Sequence, residues 1–177
     1  MQKSNEGLPK RILVYTTEII IFFALEQILN LKFGAINGAE FFVLAPIFVS
    51  IALFEQEFVG LVFGIFAGML TDYSFGAGIG VCAAIFGIFG YTVSVISNYF
   101  LRANVITQII MSTVILCFTE ILKLTIAFSN QQLNSIIAVW RNVFCKSLVI
   151  SLPVFILAFY FTRAISYKFG GKEETMN

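Results

Sequence analysis

The chain has 177 residues, of which 59% are hydrophobic, 16% aromatic and only 12% charged, with no histidine and a formal net charge of +1; its mean hydropathy is +0.92. Water-soluble domains run at roughly half apolar and about 25% charged, so this composition excludes a soluble domain and specifies an integral membrane protein. The near-neutral charge gives no footing for nucleic-acid binding or for steering of acidic partners.

A membrane span needs about 20 mainly apolar residues, and six stretches read that way in chain order. The first is 12–31, "ILVYTTEIIIFFALEQILNL", and the second is 39–54, "AEFFVLAPIFVSIALF". Residues 58–73 form the third, 78–100 the fourth, 104–128 the fifth and 146–165 the sixth. The predicted fold class is all-α, a polytopic bundle of about six transmembrane helices in a single domain. Most connections are three to eight residues long, which makes consecutive spans antiparallel neighbours. The exception is 129–145, where Leu133, Ile136, Ile137, Trp140, Val143 and Phe144 recur at helical spacing. This predicts an amphipathic helix over 131–144 at the outer interface, with Trp140 as its belt residue; a long polar loop is the alternative. The two ends read as short polar tails.

Lys3, Lys10, Arg11, Arg102, Arg163, Lys168 and Lys172 fall on the side of the termini, and Lys32, Lys123, Arg141 and Lys146 on the other. The excess of basic residues places both termini in the cytoplasm. A cleaved leader is disfavoured by Glu18 and Glu26 inside the first apolar stretch. Cys82, Cys117 and Cys145 have no metal-ligand spacing and read as small hydrophobes.

Chemistry follows mainly by exclusion. Without histidine there is no Ser-His or Cys-His pair and no HExxH zinc helix. A lone aspartate excludes a paired-aspartate intramembrane protease, and no GxxxxGK[ST] phosphate cradle occurs. The sequence implies no enzyme, metal or cofactor. What needs explanation is a set of ionisable groups at membrane depth: Glu18, Glu26, Asp72, Glu120, Lys123 and Lys146. A charged residue at mid-span costs roughly 2.5 to 3.5 kcal/mol, so each calls for a partner or a polar cavity. Asp72, Lys123 and Lys146 fall near the outer ends of their spans, within reach of the interface. Glu120 and Lys123 are placed to pair on one helix face. Glu18 and Glu26 project within about 80° of each other and face the bundle or a partner. Proton carriage, partner binding and structural pairing are all open to them.

The third span, "EFVGLVFGIFAGMLTDYSFGAGIG", places Gly60, Gly64, Gly68 and Asp72 at every fourth position. The notches run along about 18 Å of helix and form a groove that admits another backbone closely. Gly76, Gly78 and Gly80 supply a tight outer turn, and Gly87 and Gly90 continue the small-residue theme in the fourth span.

The GxxxGxxxGxxxD span, the Gly-rich turn ending at Gly80, "FGIFGYTVSVI" in the fourth span, "LRANV" with Arg102 after it and "FTEILKL" with Glu120 in the fifth together resemble the MreD family of bacterial rod-shape-determining membrane proteins. The resemblance implies a non-catalytic scaffold of the cell-elongation complex in the bacterial cytoplasmic membrane. It further implies binding to an MreC-like bitopic protein, and coupling of MreB filaments to a RodA-type glycosyltransferase and its transpeptidase. By the same resemblance Gly64, Gly68 and Asp72 carry helix packing and turn geometry, and Glu120 is a polar contact in the bundle. Gly60, Glu18 and Lys146 have no counterpart in the family pattern. The implied fold is similar to that of the substrate-binding S components of energy-coupling-factor vitamin transporters, which supplies the alternative function. The absence of an AxxxA in the first span counts against that alternative.

Overall fold

The computed structural model describes residues 8–34, 41–75, 80–99, 103–128 and 133–168, with the backbone alone at 8–9, 33–34, 75, 122–128 and 133–145. Six α-helices follow one another: α1 (Leu8–Leu29), which runs into a π-helical turn (Asn30–Gly34), α2 (Leu44–Phe54), α3 (Glu57–Phe75), α4 (Val81–Tyr99), α5 (Val105–Phe128) and α6 (Leu133–Lys168). No strand occurs among the described residues, and the fold is an all-α bundle. Lys10–Lys32, Glu57–Ser74, Val81–Tyr99 and Lys146–Lys168 are long and apolar enough to cross a membrane, while Leu44–Phe54 and Val105–Ile121 are shorter apolar helices.

Two expected elements change. Of the second span, anticipated over 39–54, residues 39 and 40 lie outside the described residues, 41–43 are not helical, and the helix runs from Leu44 to Phe54, eleven residues. At 1.5 Å per residue that is about 16 Å, half the roughly 30 Å of a hydrocarbon core. Pro46 stands in its first turn, where a missing N–H leaves nothing unpaired. The second change is in the last element. The amphipathic segment anticipated over 131–144 is helical from Leu133 and continues without a break to Lys168. No Gly or Pro interrupts the chain before Pro153, so nothing in the backbone ends the helix at the anticipated boundary. Residues 131 and 132, Gly76, Gly78 and Arg102, together with the side chains of Lys123, Trp140 and Arg141, lie outside the described part.

The short helix α2 is the centre of the bundle. All eleven of its residues are buried, and it contacts each of the other five helices. A helix that is hydrophobic all round is stable only with neighbours on every side. Phe48 shows the packing: it is fully buried and stacks on Phe86 of α4 with ring centroids 4.8 Å apart. Phe54 meets Phe159 of α6 at 5.3 Å, and Tyr15 of α1 meets Phe63 of α3 edge-on at 5.8 Å. α3 and α4 form an antiparallel hairpin on one side of α2, and α5 and α6 also border it. Truncation of Phe48 to Ala removes the ring from this junction and is expected to cost about 3 kcal/mol or more, read as a lowered unfolding midpoint of the purified protein in detergent.

Candidate functional site

The glycines of α3 lie against α4. A Cβ on Gly64 would fall on the backbone carbonyl of Phe86, one on Gly68 on the backbone of Cys82 and Ala83, and one on Gly60 on Ser94 Oγ and the carbonyl of Gly90. The reverse holds for Gly90, whose Cβ would meet the carbonyl of Gly60. The two backbones therefore touch along the full ladder, the close approach that small residues allow between membrane helices.

Asp72 finishes the ladder by capping the neighbouring helix. Its carboxylate accepts hydrogen bonds from the backbone N–H of Gly80 (2.9 Å), Cys82 (3.0 Å) and Ala83 (3.1 Å). These are N–H groups at the start of α4 that have no partner within their own helix, and a negative group there is also favoured by the helix dipole. Asp72 lies in the last turn of α3, as anticipated, and is buried there at 3% exposure. Gly80 makes the geometry possible with φ of +108°, a conformation that L side chains rarely adopt, and it has open space around its Cα rather than a packing contact. The other end of the hairpin is held by a hydrogen bond from Asn98 to Glu57.

A second set of polar groups holds the ends of α2. At its start, Glu26 Oε2 accepts from the backbone N–H of Val43 (2.9 Å) and Leu44 (2.7 Å), and Ser151 Oγ accepts from that of Phe42 (3.1 Å). Asn30 closes the entering segment, its Oδ1 accepting from the N–H of Phe41 at 2.7 Å. At the other end, Ser94 donates to the carbonyl of Ala52 (2.7 Å) and Ser97 to that of Leu53 (2.8 Å), while the N–H of Glu55 reaches Ile51 O at 3.0 Å. Gln108 of α5 donates to the carbonyl of Pro46 at 2.7 Å.

Just beyond α2, Glu55 accepts from Arg11 at 3.0 Å and from the hydroxyl of Tyr15 at 2.9 Å. All three are buried, Arg11 at 8%, Glu55 at 4% and Tyr15 at 0% exposure. Arg11, which counts as a flanking cytoplasmic charge in the sequence, is thus an internal ion pair. Neither Glu55 nor the capping serines stood out in the sequence. The only advance sign was a glutamate directly after a wholly apolar run, with an Arg and a Tyr one helical turn apart at the start of the chain.

Glu18 and Glu26 turn inward to different neighbours. Glu18 is 3% exposed, accepts from Thr162 of α6 at 2.8 Å, and its second oxygen is buried without a hydrogen-bond partner. Glu26, with Thr71 and Thr119, borders a cavity of about 20 Å³, room for about one water. Glu120 lies buried on α5. Cys82 and Cys117 are free thiols. No group of three or more His, Cys, Asp or Glu capable of holding a metal occurs among the described residues. Glu26 and Asp72 accept hydrogen bonds from backbone N–H groups at helix starts, and Glu18 and Glu55 accept from side chains of neighbouring helices.

Two variants test these roles. Asp72→Ala leaves three N–H groups without their acceptor and is expected to lower stability by about 2 kcal/mol, with Asp72→Asn falling between it and the native protein in a detergent melting series. Gly64→Leu pushes a side chain onto the Phe86 backbone and is expected to cost about 3 kcal/mol, whereas leucine at a lipid-facing position of the same helix such as Met69 leaves the melting midpoint unchanged.

No curated protein and no solved structure matches the chain. The model of the family described as rod shape-determining protein MreD matches residues 10–165, a stretch that takes in all of α2 to α5, nearly all of α1 and most of α6. With four helices able to cross a membrane and the glycine ladder and Asp72 inside the matched stretch, this multi-pass inner-membrane chain belongs to the MreD family of rod shape-determining proteins.

Proposed function

We propose that the protein is a non-catalytic scaffold of the cell-elongation complex, which binds an MreC-like bitopic protein and helps couple MreB filaments to a RodA-type glycosyltransferase and its transpeptidase. The family match over residues 10–165 carries this reading. The distribution of polar groups supports it. Glu26 and Asp72 already hold backbone N–H groups, and Glu55 holds a buried arginine and a tyrosine hydroxyl.

In this reading both termini are cytoplasmic. The excess of basic residues on that side supports the orientation. The ladder of Gly60, Gly64 and Gly68 with Asp72 and Gly80 keeps the α3–α4 hairpin rigid, so that partners meet a surface of fixed shape.

Affinity capture from the native membrane in mild detergent, followed by mass spectrometry, tests the proposal. Recovery of an MreC-like protein with the glycosyltransferase or transpeptidase is the expected result, with loss of that recovery in Gly64→Leu. Recovery of two ATPases and a coupling subunit instead would overturn it in favour of a vitamin-carrying transporter subunit.

A further inference from the structure

The cavity of about 20 Å³ at the start of α2 is walled by five helices: α1 through Glu26, α3 through Thr71, α4 through Phe86, α5 through Thr119, and α2 through its first residues, Ala45 among them. Backbone geometry leaves a donor there. Of the first three residues of α2, Leu44 gives its N–H to Glu26 and Pro46 has none. The N–H of Ala45 has no partner within the helix. Two acceptors stand on the same wall. Thr71 and Thr119 are 8% and 3% exposed, and each hydroxyl gives its one hydrogen to the carbonyl a turn back in its own helix, Ala67 at 2.9 Å and Ile115 at 2.8 Å. Each oxygen keeps lone pairs that can accept.

We infer that this cavity binds one ordered water molecule, which accepts from the N–H of Ala45 and donates to the hydroxyl oxygens of Thr71 and Thr119. Size fits. One water needs about 10 to 15 Å³ of free space, so the cavity takes one and not two. The bonding fits as well, since a buried water typically makes about three hydrogen bonds. Charge selects against other small ligands. An anion would meet the carboxylate of Glu26, and a cation would meet the positive end of α2 with fewer oxygens than its coordination demands. A dry cavity would leave a backbone N–H unpaired inside the protein, which folded chains almost never accept. The water thus completes the polar contacts at the start of α2, where Ser151 and Glu26 already take the N–H groups of Phe42, Val43 and Leu44, and it ties α3 and α5 to that end. The inference concerns this chain alone and holds whichever complex the protein joins.

Magnetic relaxation dispersion of the water oxygen signal, which counts long-lived internal waters, tests this on the purified full chain in detergent. Thr119→Val keeps the side-chain volume and removes the hydroxyl. It is expected to hold one long-lived water fewer than the native chain and to melt about 3 °C lower. Thr113→Val is the control, because Thr113 makes the same kind of bond within α5, to the carbonyl of Ile109 at 2.7 Å, away from the cavity; it is expected to keep the native count. Thr71→Val approaches the site from another helix, is expected to lose the same water, and serves if Thr119→Val does not fold. A native water count in the folded threonine variants at the cavity overturns the proposal. So does a native melting midpoint that rises when sodium chloride replaces choline chloride and ceases to do so in Thr119→Val, which would make this a cation site.

Discussion

A helix of half a bilayer's length, buried on every side, ends inside the protein, and each backbone N–H or C=O left unpaired in such surroundings costs several kcal/mol. α2 is that helix. Its first N–H groups and last C=O groups have no partners within the helix by geometry, so they must be met by side chains from elsewhere. Three other helices supply them: Glu26 from α1 and Ser151 from α6 at one end, Ser94 and Ser97 from α4 at the other. The positions of those helices are thereby fixed to hydrogen-bonding precision by an element that is itself almost wholly apolar.

The glycine ladder follows from the same requirement. Ser94 reaches Ala52 only because α4 lies close against α3, and its hydroxyl occupies the notch at Gly60 that a Cβ would fill. A bulkier residue at Gly60 would therefore act twice, by separating two backbones and by withdrawing the donor from α2. Asp72 completes the device at the far end. It uses the three N–H groups at the start of α4 to set the register of the hairpin, so that Ser94 and Ser97, about three turns along, arrive level with the end of α2. Packing between apolar surfaces in lipid is weakly directional; hydrogen bonds at the two ends of the hairpin remove that freedom.

Much of this was legible in the sequence, for reasons that can be stated. The number of helices, the packing face of α3 and the inward orientation of Glu18 and Glu26 are encoded locally, in runs of apolar residues and in spacings of four and eight. The length of α2 was not, because Phe41, Phe42 and Val43 are as apolar as the helix that follows them, and only the hydrogen bonds to Asn30, Ser151 and Glu26 reveal where the helix begins. Nor was the continuity of α6, since an amphipathic stretch followed by an apolar one has the same pattern whether or not the axis bends. The Arg11–Tyr15–Glu55 cluster was hidden for a third reason: Glu55 is 40 or more residues from its two partners, and a basic residue ahead of a span carries the same composition signal whether it faces lipid headgroups or an internal carboxylate.

α1 shows how these constraints combine. Only 17% of its apolar span is buried, too little for side-chain packing alone to set its rotation. Yet it meets the bundle through polar contacts at successive levels: Arg11 and Tyr15 to Glu55, Glu18 to Thr162, Gln27 to Ser74 and Glu26 to the start of α2. A rotation that left its apolar outer face unchanged in lipid would break all of them together. In a soluble protein such groups could exchange their partners for water at little net cost. At membrane depth the alternative is an unpaired polar group, so a helix with little packing of its own is held in a single orientation, and its outer face of Leu13, Ile20, Ile21 and Ile28 is presented to the surrounding membrane in a fixed register.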